Sequence, residues 1–241
     1  MKSLLTLLRL VMPYPAKYLL RLIIQGFRAA KFLANYRFLP PPPGTDLTGY
    51  ETLIRFLEVH KLLEVNGEIV EIGAFLGGGT YKLAKYLERK GSQKRVYVLD
   101  IFDIYADRTE CTQGISMADL YERAVRTIGK GLSQWDIFQM VTKKCKNIEI
   151  IKGDSKMVEL PTSSICFAFI DGNHDPAYVR NDFYLVWTKL STGGVCAFDD
   201  YGHDLPQVTA TINELIGHHA HQITVMGREG KIIFLQKRKE N

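Results

Sequence analysis

Carboxylates gather at a few places in this chain, and their neighbours indicate what they could do. Asp199 and Asp200 stand side by side at the end of the apolar run 195–198, and Asp171 closes the equally apolar run 165–170. Adjacent like charges repel unless something positive or protic lies between them. If the two runs are neighbouring strands, Asp171, Asp199 and Asp200 emerge at one edge, where three hard oxygen ligands would suit Mg²⁺, Mn²⁺ or Ca²⁺. The competing reading is a set of turn acids. His174, three residues beyond Asp171, titrates near neutrality and is the best candidate for a general base. A turn histidine or a partner supporting the metal is the alternative for it.

Other strand-like runs also end in polar or glycine-rich turns. Glu71-Ile72-Gly73-Ala74-Phe75-Leu76-Gly77-Gly78-Gly79-Thr80 has Phe75 where a dinucleotide fingerprint needs its second glycine, which argues against a pyrophosphate and for a nucleoside ligand. The run 96–99 ends at Asp100, the position where an acid accepts ribose hydroxyls, and the run 148–151 leads through Lys152-Gly153 into Asp154-Ser155. Their recurrence at successive strand ends weighs more than any one of them. Tyr201, Trp135 and Phe102 are candidates for the wall of a substrate pocket, with a core role as the commoner alternative. The cluster His218-His219-Ala220-His221 has metal-ligand chemistry but no second ligand group, and a structural role is expected.

The elements that must position these residues alternate. Helical periodicity covers residues 50–63, 80–90, 117–128, 134–143, 177–190 and 206–216, and strand-like runs cover 68–72, 95–99, 148–151, 165–170 and 195–198. Such alternation implies a mostly parallel α/β sheet covered on both faces, with ligands beyond the carboxyl ends of the strands. Residues 221–225 and 231–236, joined through Gly227-Arg228-Glu229-Gly230, read as a C-terminal antiparallel β-hairpin.

The chain has 241 residues and a formal net charge of +5, which is unevenly spread. Lys2, Arg9, Lys17, Arg21, Arg28, Lys31 and Arg37 all precede Asp46, the first acid, leaving 24 basic residues against 26 acidic ones beyond. A nucleic-acid footprint on the globular part is therefore not expected. The run Pro40-Pro41-Pro42-Pro43 divides a helical arm, residues 1–43, from a body, residues 44–241. Lys17, Arg21, Arg28 and Lys31 share one side of the arm's helix. This fits either peripheral contact of residues 1–38 with an anionic membrane or packing on the body or on a second subunit of a homo-oligomer. Pro13, Pro15, Arg21 and Arg28 disfavour a spanning helix, and Arg9 disfavours a cleaved signal. Four cysteines without a C-x-x-C pair suggest buried thiols in the reducing cytoplasm.

With these residues in view, residues 50–237 resemble a class I S-adenosylmethionine-dependent methyltransferase, closest to the macrocin-type small-molecule O-methyltransferases. Glu71-x-Gly73-x-x-x-Gly77-Gly78 matches the family's first motif, Asp100 its ribose-binding acid and Lys152-Gly153-Asp154-Ser155 its adenine-side motif. Asp171-Gly172-x-His174 followed by Gly193-Gly194-x-x-x-x-Asp199-Asp200-Tyr201-Gly202 is the most specific part. The resemblance implies a Rossmann-like methyltransferase fold, a seven-stranded sheet in the order 3-2-1-4-5-7-6. It implies S-adenosylmethionine held by Glu71, Gly73, Ala74, Phe75, Gly77, Gly78, Thr80, Asp100, Asp154, Ser155 and Asp171. It further implies Mg²⁺ or another divalent cation on Asp171, Asp199 and Asp200, and a small hydroxylated acceptor, for whose proton His174 is the candidate base. Asn173 departs from the family, where many members carry an acid, and the arm has no counterpart. A segment spanning 105–135 is expected to lid the pocket. The rivals are an NAD-dependent oxidoreductase, against which Phe75 argues, and a non-catalytic S-adenosylmethionine-binding scaffold.

Overall fold

The structure is a computed structural model and describes residues 14–129 and 131–239. The chain divides into two units, residues 1–43 and 44–241. In the first, helix α1 spans Tyr14–Tyr36, and Phe32, Tyr36 and Phe38 form a ring cluster with centroids 4.7–6.2 Å apart. Phe27 and Leu33 are exposed. Among the described residues no helix is long and apolar enough to cross a membrane. The expectations for Lys2, Arg9 and Pro13, and for the side chains of Lys17 and Arg21, lie outside what is described.

The second unit runs α2 (Glu51–Val59), β1 (Glu68–Ile72), α3 (Gly78–Lys90), β2 (Val96–Asp100), α4 (Met117–Ile128), α5 (Gln134–Thr142), β3 (Ile148–Lys152), β4 (Ile165–Ile170), α6 (Pro176–Trp187), β5 (Leu190–Phe198), α7 (Pro206–His218), β6 (Ile223–Glu229) and β7 (Ile232–Lys237). The seven strands lie in the order β3-β2-β1-β4-β5-β7-β6, as the resemblance implied. β1 to β5 are parallel, and β7 enters antiparallel between β5 and β6.

β4 is buried at all six residues, which is why it reads as an unbroken apolar run: a central parallel strand has no solvent face to alternate toward. Phe183, Val186 and Trp187 of α6 and Ile212 and Leu215 of α7 close the same core cluster. Phe234 of β7 stacks on Phe56 of α2 with centroids 3.7 Å apart.

Three of the boundaries that differ from the periodicity have a plain cause. The first helix of the body stops at Val59 because Lys61 takes a left-handed backbone (φ 51°) and a 3₁₀ turn follows over Leu62–Glu64. β5 starts at Leu190, earlier than the apolar run, because its register slips between Ile165 and Phe167 of β4 and absorbs the polar stretch that includes Gly193 and Gly194. The hairpin turn is tighter than expected. β6 continues to Glu229, which pairs with Ile232, so the loop is only Gly230-Lys231, with Gly230 at φ 62° as two-residue hairpins favour.

Candidate active site

Asp171 follows β4 and Asp199-Asp200 follow β5, so the pairing of these strands, Ile170 opposite Phe198, brings all three acids to one edge. The group that separates Asp199 from Asp200 comes from the other direction. β7 is antiparallel to β5, with Phe198 opposite Ile233 and Ala197 opposite Phe234; continuing that register sets Lys231 opposite Asp200. The Lys231 Nζ lies 2.5 Å from Asp199 Oδ2 and 2.8 Å from Asp200 Oδ1. Asp200 itself has a left-handed backbone, φ 56°, which turns it away from its neighbour.

His174 is buried, with Nδ1 2.5 Å from Asp107 Oδ2 and Nε2 2.9 Å from Asp200 Oδ2. Burial alone would lower its pKa, but the two carboxylates outweigh burial and raise it to about 10. Asp200 is held well below the ordinary carboxylate range: burial works against this, and His174 and Lys231 prevail. Asp199 goes the other way, to about 8, because it is buried and faces Asp171. Thr48 Oγ1 bridges Asp171 and Asp199, 2.9 Å from Asp171 Oδ2 and 3.1 Å from the same Asp199 Oδ2 that meets Lys231. A hydroxyl has one proton to give, so both bonds are complete only when one of the acids is protonated, and Asp199 is the acid poised for it.

The loop that delivers Thr48 is pinned at both ends. Asp46 accepts from the backbone amides of Thr48, Gly49 and Tyr50 and from the buried Lys82 Nζ of α3 at 2.5 Å. The Tyr50 hydroxyl donates to Glu71 Oε1 at 2.5 Å, and Thr80 Oγ1 donates to Glu71 Oε2 at 2.5 Å.

Two cavities open at this edge. One lies over the ends of β1 to β3 and is lined by Gly73, Phe75, Asp100, Ile101, Asp154 and Ser155 among others. The second is lined by Thr48, Tyr50, Met117, His174, Asp200 and Lys231. Gly73, Phe75, Tyr121 and Asp171 belong to both, so a small ligand in each would meet across these residues.

Residues 70–201, over half of the chain, match the family model described as "Methyltransferase domain". The chain belongs to this methyltransferase family. No curated protein matches it by sequence. Solved structures share the fold at low identity. The O-methyltransferase NovP aligns with TM-score 0.59 and 16% identity over 78% of this chain and 81% of that one. CalS11, a TDP-rhamnose 3'-O-methyltransferase of calicheamicin biosynthesis, aligns at 0.52 and 16% over 94% and 96%. MycE, solved with Mg, SAH and mycinamycin VI, aligns at 0.51 and 14% over 87% of this chain and 54% of its own.

For this S-adenosylmethionine-dependent methyltransferase, the structure places the residues singled out in the sequence in different surroundings. Gly73, Phe75, Asp100, Asp154, Ser155 and Asp171 line the first cavity, and Ala74 lines the second. Glu71, Gly77, Gly78 and Thr80 do not line either of these cavities. Glu71 and Thr80 are spent on each other and on Tyr50, while Gly77 and Gly78 give close packing: a Cβ on Gly77 would meet Phe138 at 2.8 Å, and one on Gly78 the Thr45 backbone at 2.5 Å. Asp100 lines the first cavity and also holds its wall in place. Its carboxylate accepts from the amides of Ala74, Phe75 and Phe102 and from Gln134, and so shapes the loop that walls the cavity. The donor set suits the cofactor, with acids at the ends of β2 and β3 and the apolar Ile72, Leu99 and Ile101 between them.

For a divalent cation, the tightest grouping of ligand atoms among the described residues is Asp171, His174 and Asp200, within 4.8 Å of one another. Asp199 is drawn aside by Lys231 and Thr48. Its Oδ1 is nevertheless buried without a partner, and even with Asp199 protonated three carboxylates (Asp107, Asp171, Asp200) face two cations (His174, Lys231). A buried acceptor lacking a donor and an excess of negative charge both fit a further cation.

Trp135 and Phe102 do not reach the cavity walls; they pack on each other and on Phe138, and Tyr201 donates to Asn213. His219 pairs with Tyr184 and Gln222, in keeping with a structural role. Asn173 bridges the Ala106 carbonyl and the Asp175 amide. Lys231, Thr48, Asp107 and Tyr121 were not anticipated. Lys231 begins the last strand expected from the sequence, but its place opposite Asp200 comes from the pairing of β7 with β5 and not from the hairpin.

Proposed function

We propose that this methyltransferase transfers a methyl group to a hydroxyl oxygen of a small molecule or sugar, with assistance from a divalent cation. The observation that carries the reading is the shared wall of the two cavities: Asp171 and Tyr121 face both a nucleoside-sized site and a pocket holding a histidine–carboxylate pair. S-adenosylmethionine, when bound, supplies an already activated methyl on its sulfonium, so the protein's tasks are alignment and removal of the hydroxyl proton. Asp100 and Asp154 hold the nucleoside, while Thr48 and Asp171 orient the acceptor hydroxyl. Once His174 has given up its own proton, Nε2 takes the proton of the hydroxyl, and Asp107 on Nδ1 fixes the ring and stabilises the imidazolium so formed. Asp171, Asp199 and Asp200 would hold Mg²⁺ or a similar cation, which lowers the pKa of a hydroxyl it touches.

Calorimetry with S-adenosylmethionine, with and without Mg²⁺, followed by label transfer to a panel of hydroxylated acceptors, tests this. Asp199→Asn combined with Asp200→Asn is expected to abolish cation-dependent turnover and leave cofactor affinity intact. Full activity in that variant would remove the metal from the reading, and cofactor binding without transfer to any acceptor would favour a scaffold.

For the arm, exposure of Phe27 and Leu33 on α1, together with the absence of any acid before Asp46, supports contact with an anionic lipid surface. The full chain is expected to float with anionic liposomes and a chain lacking residues 1–38 is not; equal behaviour would refute this, and a change of mass in solution would point to subunit contact instead.

A further inference from the structure

Lys231 sits where a bound cation would be felt most, and it arrives on a tether. Its loop has two residues, its side chain is 31% exposed, and the carboxylates it touches are 1% and 10% exposed. The acids are therefore fixed by the strand ends, whereas the ammonium reaches in from the solvent side on a flexible four-carbon stem. A divalent cation binds carboxylate oxygens at about 2.0–2.6 Å. Held by oxygens of Asp199 and Asp200 it would lie within about 5 Å of Nζ, a separation at which like charges repel strongly away from bulk water. Two oxygens already committed to Nζ are also two poorer ligands.

We infer that Lys231 is a tethered cation that holds the Asp199–Asp200 pair in the metal-free protein and competes with the divalent cation for it, so that metal entry requires the ammonium to swing outward. The inference rests on the metal-assisted reading above and adds a control to it: the chain carries its own competitor and sets the cation concentration at which the site fills. The same ammonium offsets the cost of burying these two acids, since unpaired charges at this depth are strongly destabilising.

The test uses the full chain and Mn²⁺ alone, with free Mn²⁺ followed by electron paramagnetic resonance and, in parallel, by calorimetry. Lys231→Met, which keeps the stem and removes the charge, and Lys231→Gln are compared with the unaltered protein and with Lys231→Arg. The neutral variants are expected to bind Mn²⁺ about tenfold or more tightly than the unaltered protein, and Lys231→Arg no more tightly. Added Mn²⁺ is expected to raise the melting temperature of Lys231→Met more than that of the unaltered protein, a readout that also establishes folding. Equal Mn²⁺ affinity with and without the lysine charge would overturn the inference while leaving metal assistance standing. Failure of folded Lys231→Met to bind Mn²⁺ would remove both. S-adenosylmethionine binding to the same samples reports separately on the cofactor site.

Discussion

Replacing Glu71 by Gln should make the protein more stable at pH 8 and not at pH 5. Glu71 is fully buried, and burial, opposed in part by the hydroxyls of Thr80 and Tyr50, raises its pKa from 4.5 to about 7. The folded chain thus holds the carboxyl proton more tightly than the unfolded chain does. That stabilising contribution is complete below about pH 4.5 and is lost as the pH rises through about 7. Taking the displacement from 4.5 to about 7 at 1.36 kcal/mol per pH unit gives about 3 kcal/mol lost by pH 8. Glutamine stays neutral throughout. Its amide can accept from one hydroxyl and donate to the other, because both hydroxyls can rotate. For a domain of this size 3 kcal/mol corresponds to roughly 6–12 °C. Scanning calorimetry of both proteins at pH 5 and pH 8 should therefore show the variant near or slightly below the parent at pH 5 and above it at pH 8. Acids elsewhere titrate in both proteins and cancel in the difference. A melting difference of the same size at both pH values would refute the assignment of a buried, proton-holding Glu71. Cofactor affinity should be unchanged, since Glu71 lies off both cavities.

Three further outcomes are expected. If His174 is the base, kcat/KM should rise with pH across the neutral range toward about 10, since burial is outweighed by Asp107 and Asp200 and the imidazole stays protonated below that value; a flat profile would exclude it. Asp107→Asn should move that limb to lower pH and reduce kcat by roughly 10²-fold or more, with cofactor binding by calorimetry unaffected. Asp46→Ala should cost about 3–5 kcal/mol in denaturant unfolding, because it removes the carboxylate 2.5 Å from the buried Lys82 and strips three backbone amides of their acceptor.

The strands and their ends were readable because a central parallel strand such as β4 is apolar throughout and stops abruptly at a charge. The edge at which Asp171, Asp199 and Asp200 meet followed from that, as did the cavity beside Asp100 and Asp154. What stayed hidden was contributed by irregular backbone. Thr48 and Asp107 come from loops whose course is set by Asp46–Lys82 and Asn173–Ala106 contacts, which have no periodicity to read. Glu71 and Thr80 look like ligand residues in the sequence, but three dimensions place Tyr50 against Glu71, and its hydroxyl completes the group. The pair Asp199-Asp200 raised the right question and received an incomplete answer, since the lysine between them lies across a strand pairing and not along the chain.

That lysine ties the chemistry to the order in which the sheet is assembled. A molecule whose first five strands are in place but whose last hairpin has not yet inserted would have every acid of the site and no cation to separate Asp199 from Asp200. Docking of β7 beside β5 is then also the moment at which the reaction centre acquires its charge balance. A single residue added to the Gly230-Lys231 turn would leave the strands free to pair yet carry the ammonium away from the acids, so the length of a surface turn acts as a ruler for the electrostatics of a buried pocket.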